Sequence, residues 1–401
     1  MACALEFQEL ANRNAFIREL EDDGYLVDFV GSHLLVYGLP YLNELGALSY
    51  GDMASPVDLS VGGVIDPPSN HQVWFRGGRP HDQNGRQLRL GGGPGQMKVA
   101  DDFETDNSFS YKLLDENGQM RPYQSFEEKI RTYLDTITAP AMAAFPDATP
   151  LKAIDLRATE QGTPLRFPDT LSARYQINDL SRLLEGKRVG IIGLGGTGSY
   201  ILDFIARTHL AEIALFDDDK VHVHTIFRFP GFIPRAIGLQ KVDALAQLYG
   251  NWHSSITPIS ERVTGSNVEQ LRGFDFVFVA IDHGPSRIFI ADWLSANGIP
   301  FVDCGMGLNR TAVGLNGVVR VTGVDRAAYE ATARSAFLPG DDPKEGEYRR
   351  QGQIAELNAL NAALAVVRFK QHFGIYERED MAVSHVLETA SMEVERKACA
   401  E

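Results

Sequence analysis

The spacing of hydrophobic positions changes at about Leu171, and the two stretches on either side predict different architectures. From Ala4 to Glu21 apolar residues recur at the period of an amphipathic helix, which Gly24 closes. Short strands are expected at Tyr25–Val30 and His33–Tyr37, turning at Gly31. Between Pro40 and Gly118 the apolar runs are short, such as Val73–Phe75, and Gly, Pro, Asn and Asp crowd the spaces between them. That pattern predicts a β-rich region with long loops, and the Gly91–Gly95 tract is expected to be a mobile one. A helix over Phe126–Ile137 completes an N-terminal α+β domain at residues 1–150. A stretch rich in Pro, Ala and Thr then predicts a linker at 151–170.

Beyond it, apolar runs of strand length alternate with helical patterns. Strands are expected at Val189–Ile192, Glu212–Phe216, Ser254–Ile259, Phe274–Ile281 and Pro300–Cys304, and helices at Ser199–Thr208, Pro234–Tyr249 and Pro285–Asn297. Strands apolar on both faces, alternating with helices, predict an α/β domain at 171–401 with a doubly wound, mostly parallel sheet. Its ligand is expected beyond the C-terminal ends of the strands. Asn316-Gly317 between Ala312–Leu315 and Gly317–Thr322 reads as a hairpin turn. Gln353–His372 reads as a helix whose Leu357, Leu360, Leu364, Val367 and Phe369 face the core.

Composition narrows the classes. The formal charge of −15 argues against sequence-independent binding to nucleic acid or to anionic membrane. Cys3, Cys304 and Cys399 are the three cysteines, and no CxxC pair offers a zinc or redox site. The N-terminus lacks the basic and apolar regions of a secretory signal, no apolar run approaches the length of a membrane span, and the chain reads as cytoplasmic. His71, His81 and Asp82 lack a third convincing metal ligand and read as loop residues.

The chemistry gathers around the first strand of the second domain. Val189–Ile192 runs into Gly193-Leu194-Gly195-Gly196-Thr197-Gly198, and a helix begins directly after it. Glycines let backbone N–H groups approach a phosphate, and the helix N-terminus adds partial positive charge. Asp217 ends the second strand about twenty residues on, where such folds hydrogen-bond a ribose. Asp219, Arg228 and Lys241 follow, and the strand Phe274–Ile281 ends in Asp282. A hydride-transfer enzyme has no use for two cations and a carboxylate in one crevice. Attack on a nucleotide α-phosphate does, because the cations neutralise phosphoryl charge and the carboxylate holds Mg²⁺.

In these motifs the sequence resembles the ubiquitin-activating enzymes and the thiamine- and molybdopterin-biosynthesis adenylyltransferases, over roughly Leu171 to Tyr376. GLGGTGS matches their nucleotide loop, DDDKV at Asp217–Val221 their strand-end acidic motif, and Arg228 and Lys241 their ATP-binding Arg and Lys. Asp282 in FVFVAIDHGPSR matches the magnesium-binding Asp, and ELNALNAALAV, from Glu356, resembles their closing helix. The resemblance implies a Rossmann-like adenylation domain using ATP and Mg²⁺. Asp217 would bind ribose, with Asp219 in the same acidic motif. Gly193, Gly195 and Gly196 would take the phosphates, Arg228 and Lys241 the phosphoryl oxygens, and Asp282 the metal. Thr225 stands where the family usually has a nucleotide-contacting Asn.

The same resemblance implies a ubiquitin-like protein as substrate, whose C-terminal carboxylate attacks ATP, a homodimer, and onward transfer to a conjugating enzyme in a bacterial-type pathway. Arg174, in ARYQIN, is the candidate for the arginine that the family supplies across its dimer, with Arg182 as second choice. Cys304 reads as a core residue, so the acyl acceptor is open. Ser335, in the polar stretch Ala331–Arg350, is the candidate hydroxyl. The N-terminal domain resembles an uncharacterised domain found before such modules in bacteria and is expected to recruit a partner. The competing readings are sulfur-carrier activation for cofactor biosynthesis, an inactive adenylation fold used for docking, and a dehydrogenase.

Overall fold

The computed structural model describes residues 2–100, 103–151, 163–167, 169–231, 235–324, 353–379 and 382–398. The chain forms two compact units. One comprises residues 1–161 and 167–176, the other residues 162–166 and 177–401.

In the first unit, helices α1 (Ala2–Arg13) and α2 (Ala15–Asp22) precede strands β1 (Leu26–Val30), β2 (His33–Leu42), β3 (Leu48–Pro56), β4 (Gln72–Arg76), β5 (Gly93–Ala100) and β6 (Phe103–Ser110). The six strands make an antiparallel sheet in the order β1-β2-β3-β4-β6-β5. Two-residue strands β7 (Leu113–Leu114) and β8 (Met120–Arg121) lead to α3 (Phe126–Ala144), and α4 (Thr170–Arg174) comes after. The expected single first helix is broken at Asn14. That side chain caps other backbone, donating to the Leu10 and Gly63 carbonyls and accepting the Ile65 N–H. The Gly91–Gly95 tract enters β5 and pairs with β6, contrary to the expected loop. α3 runs past Ile137 and through Pro140, which removes one helical hydrogen bond. Its buried stripe, Ile130, Tyr133, Leu134, Ile137 and Ala141, continues across that position and holds the helix on the core. Lys129 lies in the same stripe.

The second unit opens with α5 (Asn178–Ser181) and is built on an eight-stranded sheet. In chain order come β9 (Arg188–Ile192), α6 (Gly196–Ile205), β10 (Glu212–Phe216), α7 (Val223–Ile226), α8 (Lys241–Tyr249), β11 (Ile256–Ile259), β12 (Phe276–Val279), α9 (Gly284–Ala296) and β13 (Phe301–Arg310). β14 (Leu315–Val324), α10 (Ala355–His372), β15 (Ala382–Glu388) and β16 (Glu393–Ala398) complete it. The sheet order is β11-β10-β9-β12-β13-β14-β15-β16; the strands from β11 to β13 are parallel and those from β13 to β16 antiparallel. Residues of α6, α8 and α10 pack with Val189, Ile191, Leu215 and Phe278 on one face. α9 covers the other with Ile192, Phe216, Val277 and Val279. This is the doubly wound, mostly parallel sheet that the alternation predicted.

Three local expectations differ. The expected start of α8, Pro234, lies outside the described residues, and the helix begins at Lys241, because the backbone before it pairs with the acidic loop: Val221 N–H donates to the Leu239 carbonyl, and Gly238 N–H to that of Val221. Asn316-Gly317 lies inside β14, opposite Asn309 and Leu308, and the hairpin turns at residues 311–314 instead. Asn316 is held there by Glu388 at 2.6 Å, and a Cβ at Gly317 would meet Leu357 at 2.5 Å. On α10 the buried residue is Val366, while Val367 is exposed, and the polar Asn358 and Asn361 also point inward. Among the described residues no helix is long and apolar enough to cross a membrane.

Candidate functional site

β10 and β12 flank β9 on opposite sides, so the chain's direction of winding reverses at the C-terminal end of β9. Helices after the two neighbours leave a crevice there. It is a cavity of about 1110 Å³, lined by the glycine turn, the acidic loop, Arg228, Lys241 and Asp282.

The glycine turn is dictated by sterics. Gly193 has φ +90°, and a Cβ there would lie 2.6 Å from the Ala280 carbonyl on the neighbouring strand. A Cβ at Gly198 would strike the Gly193 carbonyl at 1.9 Å. A side chain at either position would push α6 off the sheet. Gly195, the N-cap, faces open space: no heavy atom of the described residues lies within 4 Å of its Cβ position. The N-terminus of α6 therefore opens onto the cavity, with Gly195, Gly196 and Thr197 on the wall.

Asp217 ties the turn to the acidic loop. One carboxylate oxygen accepts the Leu194 N–H at 2.6 Å and the other the Asp219 N–H at 2.8 Å. Lys241, the first residue of α8, is buried. Its Nζ lies 2.7 Å from Asp219 Oδ2 and 3.4 Å from Asp217 Oδ1. That hydrogen bond is the main cause holding the Asp219 carboxyl below its ordinary range. Arg228 is half-buried; Nη1 donates to Gln353 Oε1 at 2.8 Å, and among the described residues its buried Nε has no partner. Burial lowers the guanidinium from its ordinary value, opposed by the carboxylates of Asp282, Asp219 and Asp217. Asp282 stands exposed on the cavity wall.

The expected constellation thus converges: Gly193, Gly195, Gly196, Asp217, Asp219, Arg228, Lys241 and Asp282 all line one cavity. Other candidates lie elsewhere. Thr225 is buried, its hydroxyl donating to the His222 carbonyl and accepting the His222 N–H, which caps α7. Arg174 belongs to the first unit and pairs with Asp22 at 2.8 Å. Arg182 lies 3.6 Å from Glu185. Ser335 lies outside the described residues. Cys304 is the exception: it lines the same cavity, though it is buried as expected, and burial, with the Asp303 charge adding, pushes its thiol up from the ordinary range.

The sequence reading missed Gln353, Asn358, and Asp303 with its arginine partners. Gln353 holds Arg228. Asn358 on α10 accepts the Thr197 hydroxyl at 3.0 Å and packs on Gly196. Asp303 is fully buried and pairs with Arg287 Nε at 2.8 Å and Arg320 Nη2 at 2.6 Å. An acid inside the apolar run PFVDC was the available signal for that pair, since a buried charge needs a partner. Gln353 and Asn358 left no comparable mark.

The donor set suits a nucleotide with a divalent cation. The Gly195 position and the Arg228 Nε, which meet no partner among the described residues, suit phosphate oxygens. The Asp282 carboxylate and the clustered oxygens of Asp217, Asp218 and Asp219 suit a hard cation.

A crevice of this kind at a strand-order reversal is that of a Rossmann-like domain. Residues 170–385, more than half of the chain, match the model described as the ThiF family, and the chain belongs to that family. Residues 16–170 match a domain of unknown function, DUF6791. The SAMP-activating enzyme E1 of Haloferax volcanii is 32% identical over 124 residues, 30% of this chain and 46% of the relative. The tRNA threonylcarbamoyladenosine dehydratase of Escherichia coli K12 is 29% identical over 144 residues, 35% and 53% of the two chains. Ubiquitin-like modifier-activating enzyme 5 of Drosophila mojavensis is 27% identical over 152 residues, 33% and 37%. The matched part therefore spans about half or less of these relatives. Escherichia coli MccB with ATP has a TM-score of 0.46 and 16% identity, covering 55% of this chain and 66% of that one.

Proposed function

We infer that this chain adenylates the C-terminal carboxylate of a ubiquitin-like protein, using ATP and Mg²⁺, as the first step of a bacterial-type conjugation pathway. The observation that carries the reading is the convergence of Arg228, Lys241 and Asp282 on the glycine turn of one cavity. Two named relatives, the SAMP-activating and ubiquitin-like modifier-activating enzymes, make a modifier protein the favoured substrate.

In the proposed step a carboxylate oxygen of the modifier attacks the α-phosphorus of ATP and forms a new O–P bond. The bond from that phosphorus to its bridging oxygen breaks, and pyrophosphate leaves with the electron pair. No proton needs to move. Backbone N–H groups at the start of α6 bind the phosphates, and Asp217 holds the turn that presents them. Lys241, fixed between Asp219 and Asp217, and Arg228, fixed by Gln353, place positive charge where phosphoryl charge develops. Such preorganised donors contribute on the order of 3–4 kcal/mol each. Asp282 would hold Mg²⁺, which when bound supplies further neutralisation of phosphate charge.

The activated acyl carbon is then attacked by a nucleophile of a conjugating enzyme or, within the chain, by a hydroxyl such as Ser335; the bond from that carbon to the AMP oxygen breaks, AMP leaves with the electron pair, and the nucleophile's proton passes to solvent. The N-terminal unit recruits one of these proteins, and the chain pairs as a homodimer in which Arg174 of the first unit or Arg182 of the second is supplied across the interface. ATP–pyrophosphate exchange with candidate ubiquitin-like proteins tests the central reading: exchange that depends on a free modifier C-terminus supports it, and none with any such protein opposes it. Light scattering at micromolar concentration tests the dimer, which a purely monomeric chain would exclude.

A further inference from the structure

The glycines that open α6 to the cavity also leave its first turn with little to hold it. Of Gly195, Gly196, Thr197 and Gly198 only Thr197 has a side chain. Glycine gives up more backbone freedom on entering a helix than any other residue, so a turn of this composition is weak by itself. The residues just before it are tied to the second strand: Gly193 N–H donates to the Phe216 carbonyl at 2.8 Å and Leu194 N–H to Asp217 at 2.6 Å. The helical turn beyond them needs a contact of its own.

That contact comes from α10. Asn358 is fully buried, and its amide is oriented from within its own helix, where Nδ2 donates to the Ile354 carbonyl at 3.0 Å. Oδ1 therefore faces away from α10 and accepts the Thr197 hydroxyl at 3.0 Å. A Cβ at Gly196 would lie 2.1 Å from Nδ2, so the amide fills the space that a side chain on α6 would need. Ala362, Ala365, Val366 and Phe369 of α10 pack in the same core as Ile201 and Leu202 of α6 without directional contacts. A buried amide costs desolvation, and in return its hydrogen bond fixes one register between the two helices. Gln353, just before α10, accepts Arg228 Nη1 at 2.8 Å. One end of α10 thus holds both elements that face the phosphates.

We propose that Asn358 is a positioning residue for the nucleotide phosphates: through the Thr197 hydroxyl it sets the first turn of α6 relative to Arg228, so that backbone N–H groups and guanidinium meet one triphosphate together. This deepens the nucleotide reading of the cavity and rests on it. Thr197 is on the cavity wall, and Asn358 acts through it.

The test is titration calorimetry of the full chain with ATP and with adenosine, which lacks phosphates, alongside thermal unfolding. Asn358→Leu removes both hydrogen bonds and keeps the seam filled; it should weaken ATP by about tenfold or more and leave adenosine within about twofold. Thr197→Val should weaken ATP likewise, whereas Thr197→Ser, which retains the hydroxyl, should bind it nearly as the wild type does. Asn358→Leu and Thr197→Val remove the same bond, so the double variant should bind ATP no more weakly than the weaker single one. A packing role alone predicts a lower unfolding temperature with ATP and adenosine weakened equally, and that pattern would overturn the proposal. So would wild-type ATP affinity in Asn358→Leu, or additive losses in the double variant. If Asn358→Leu does not fold, the Thr197 variants decide: equal ATP affinity in Thr197→Val and Thr197→Ser overturns the proposal. No modifier protein enters this test, so adenylation can fail in the exchange assay independently of it. A wild type with no affinity for ATP would bring down the nucleotide reading, and this proposal with it.

Discussion

Lys129 on α3 and Lys241 on α8 are both inside the protein, 0% and 4% exposed, yet their surroundings are opposite. Lys241 sits between Asp217 and Asp219, and it also lines the cavity at the end of β9. Among the described residues the Nζ of Lys129 has no hydrogen-bond partner, and Asp58, the carboxylate whose charge it feels, is engaged by the Ser69 N–H. Burial lowers Lys129 to about 8, and the ammonium in turn helps hold His33 and His71 below the ordinary imidazole value, after burial. The contrast separates two uses of a buried cation. One is compensated and placed against a cavity. The other is an uncompensated charge in a core, which lowers stability.

The strongest way to sharpen this contrast acts on the crevice. Asp282→Ala should reduce ATP–pyrophosphate exchange by a factor of about 10³ or more, the order expected on losing a metal ligand or preorganised donor. Its thermal unfolding should be unchanged, because the carboxylate is exposed. Wild-type exchange in this variant would remove Asp282 from the site. Lys241→Met should lower exchange by about 10²–10³. It should also destabilise its unit, since Asp217 then loses the nearby ammonium; a stabilised Lys241→Met would break the comparison.

Lys129→Met should do the reverse and stabilise the first unit. A displacement from 10.5 to about 8 corresponds to about 3 kcal/mol. The sign follows from linkage. Between pH 8 and 10.5 the unfolded chain holds a proton on Lys129 that the folded chain has released, so stability rises with pH across that window. Denaturant unfolding of the wild type should show that rise, and Lys129→Met should lack it. An unchanged slope in the variant would assign the rise to other groups. The smallest effect belongs to Cys304→Ser, which puts a hydroxyl in a buried position and should cost about 1–3 kcal/mol. Exchange per folded molecule should survive, and a variant that folds normally but has lost exchange would put the thiol in the reaction.

Much of the crevice was legible in the chain because its parts are local. A strand, a glycine turn and a helix N-terminus occupy consecutive residues, and each has a steric requirement that restricts composition: Gly193 needs positive φ and Gly198 needs no Cβ. Strand-end acids such as Asp217 and Asp282 are marked by the apolar runs they terminate. Parallel pairing followed in the same way, from strands apolar on both faces. Contacts between distant segments left no such mark. Asn14 breaks the first helix because Gly63 and Ile65 offer it backbone partners. Asn316-Gly317 stays extended because Glu388 and Leu357 surround it. Gln353 meets Arg228 across 125 positions, and Asp303 becomes a bridge only when β13, β14 and α9 bring two arginines to it. Side chains of one composition serve as caps, surface charges or site residues according to what the fold sets beside them. Local sterics and periodicity are written in the chain, whereas the partners of a polar group are decided by packing between elements far apart in sequence.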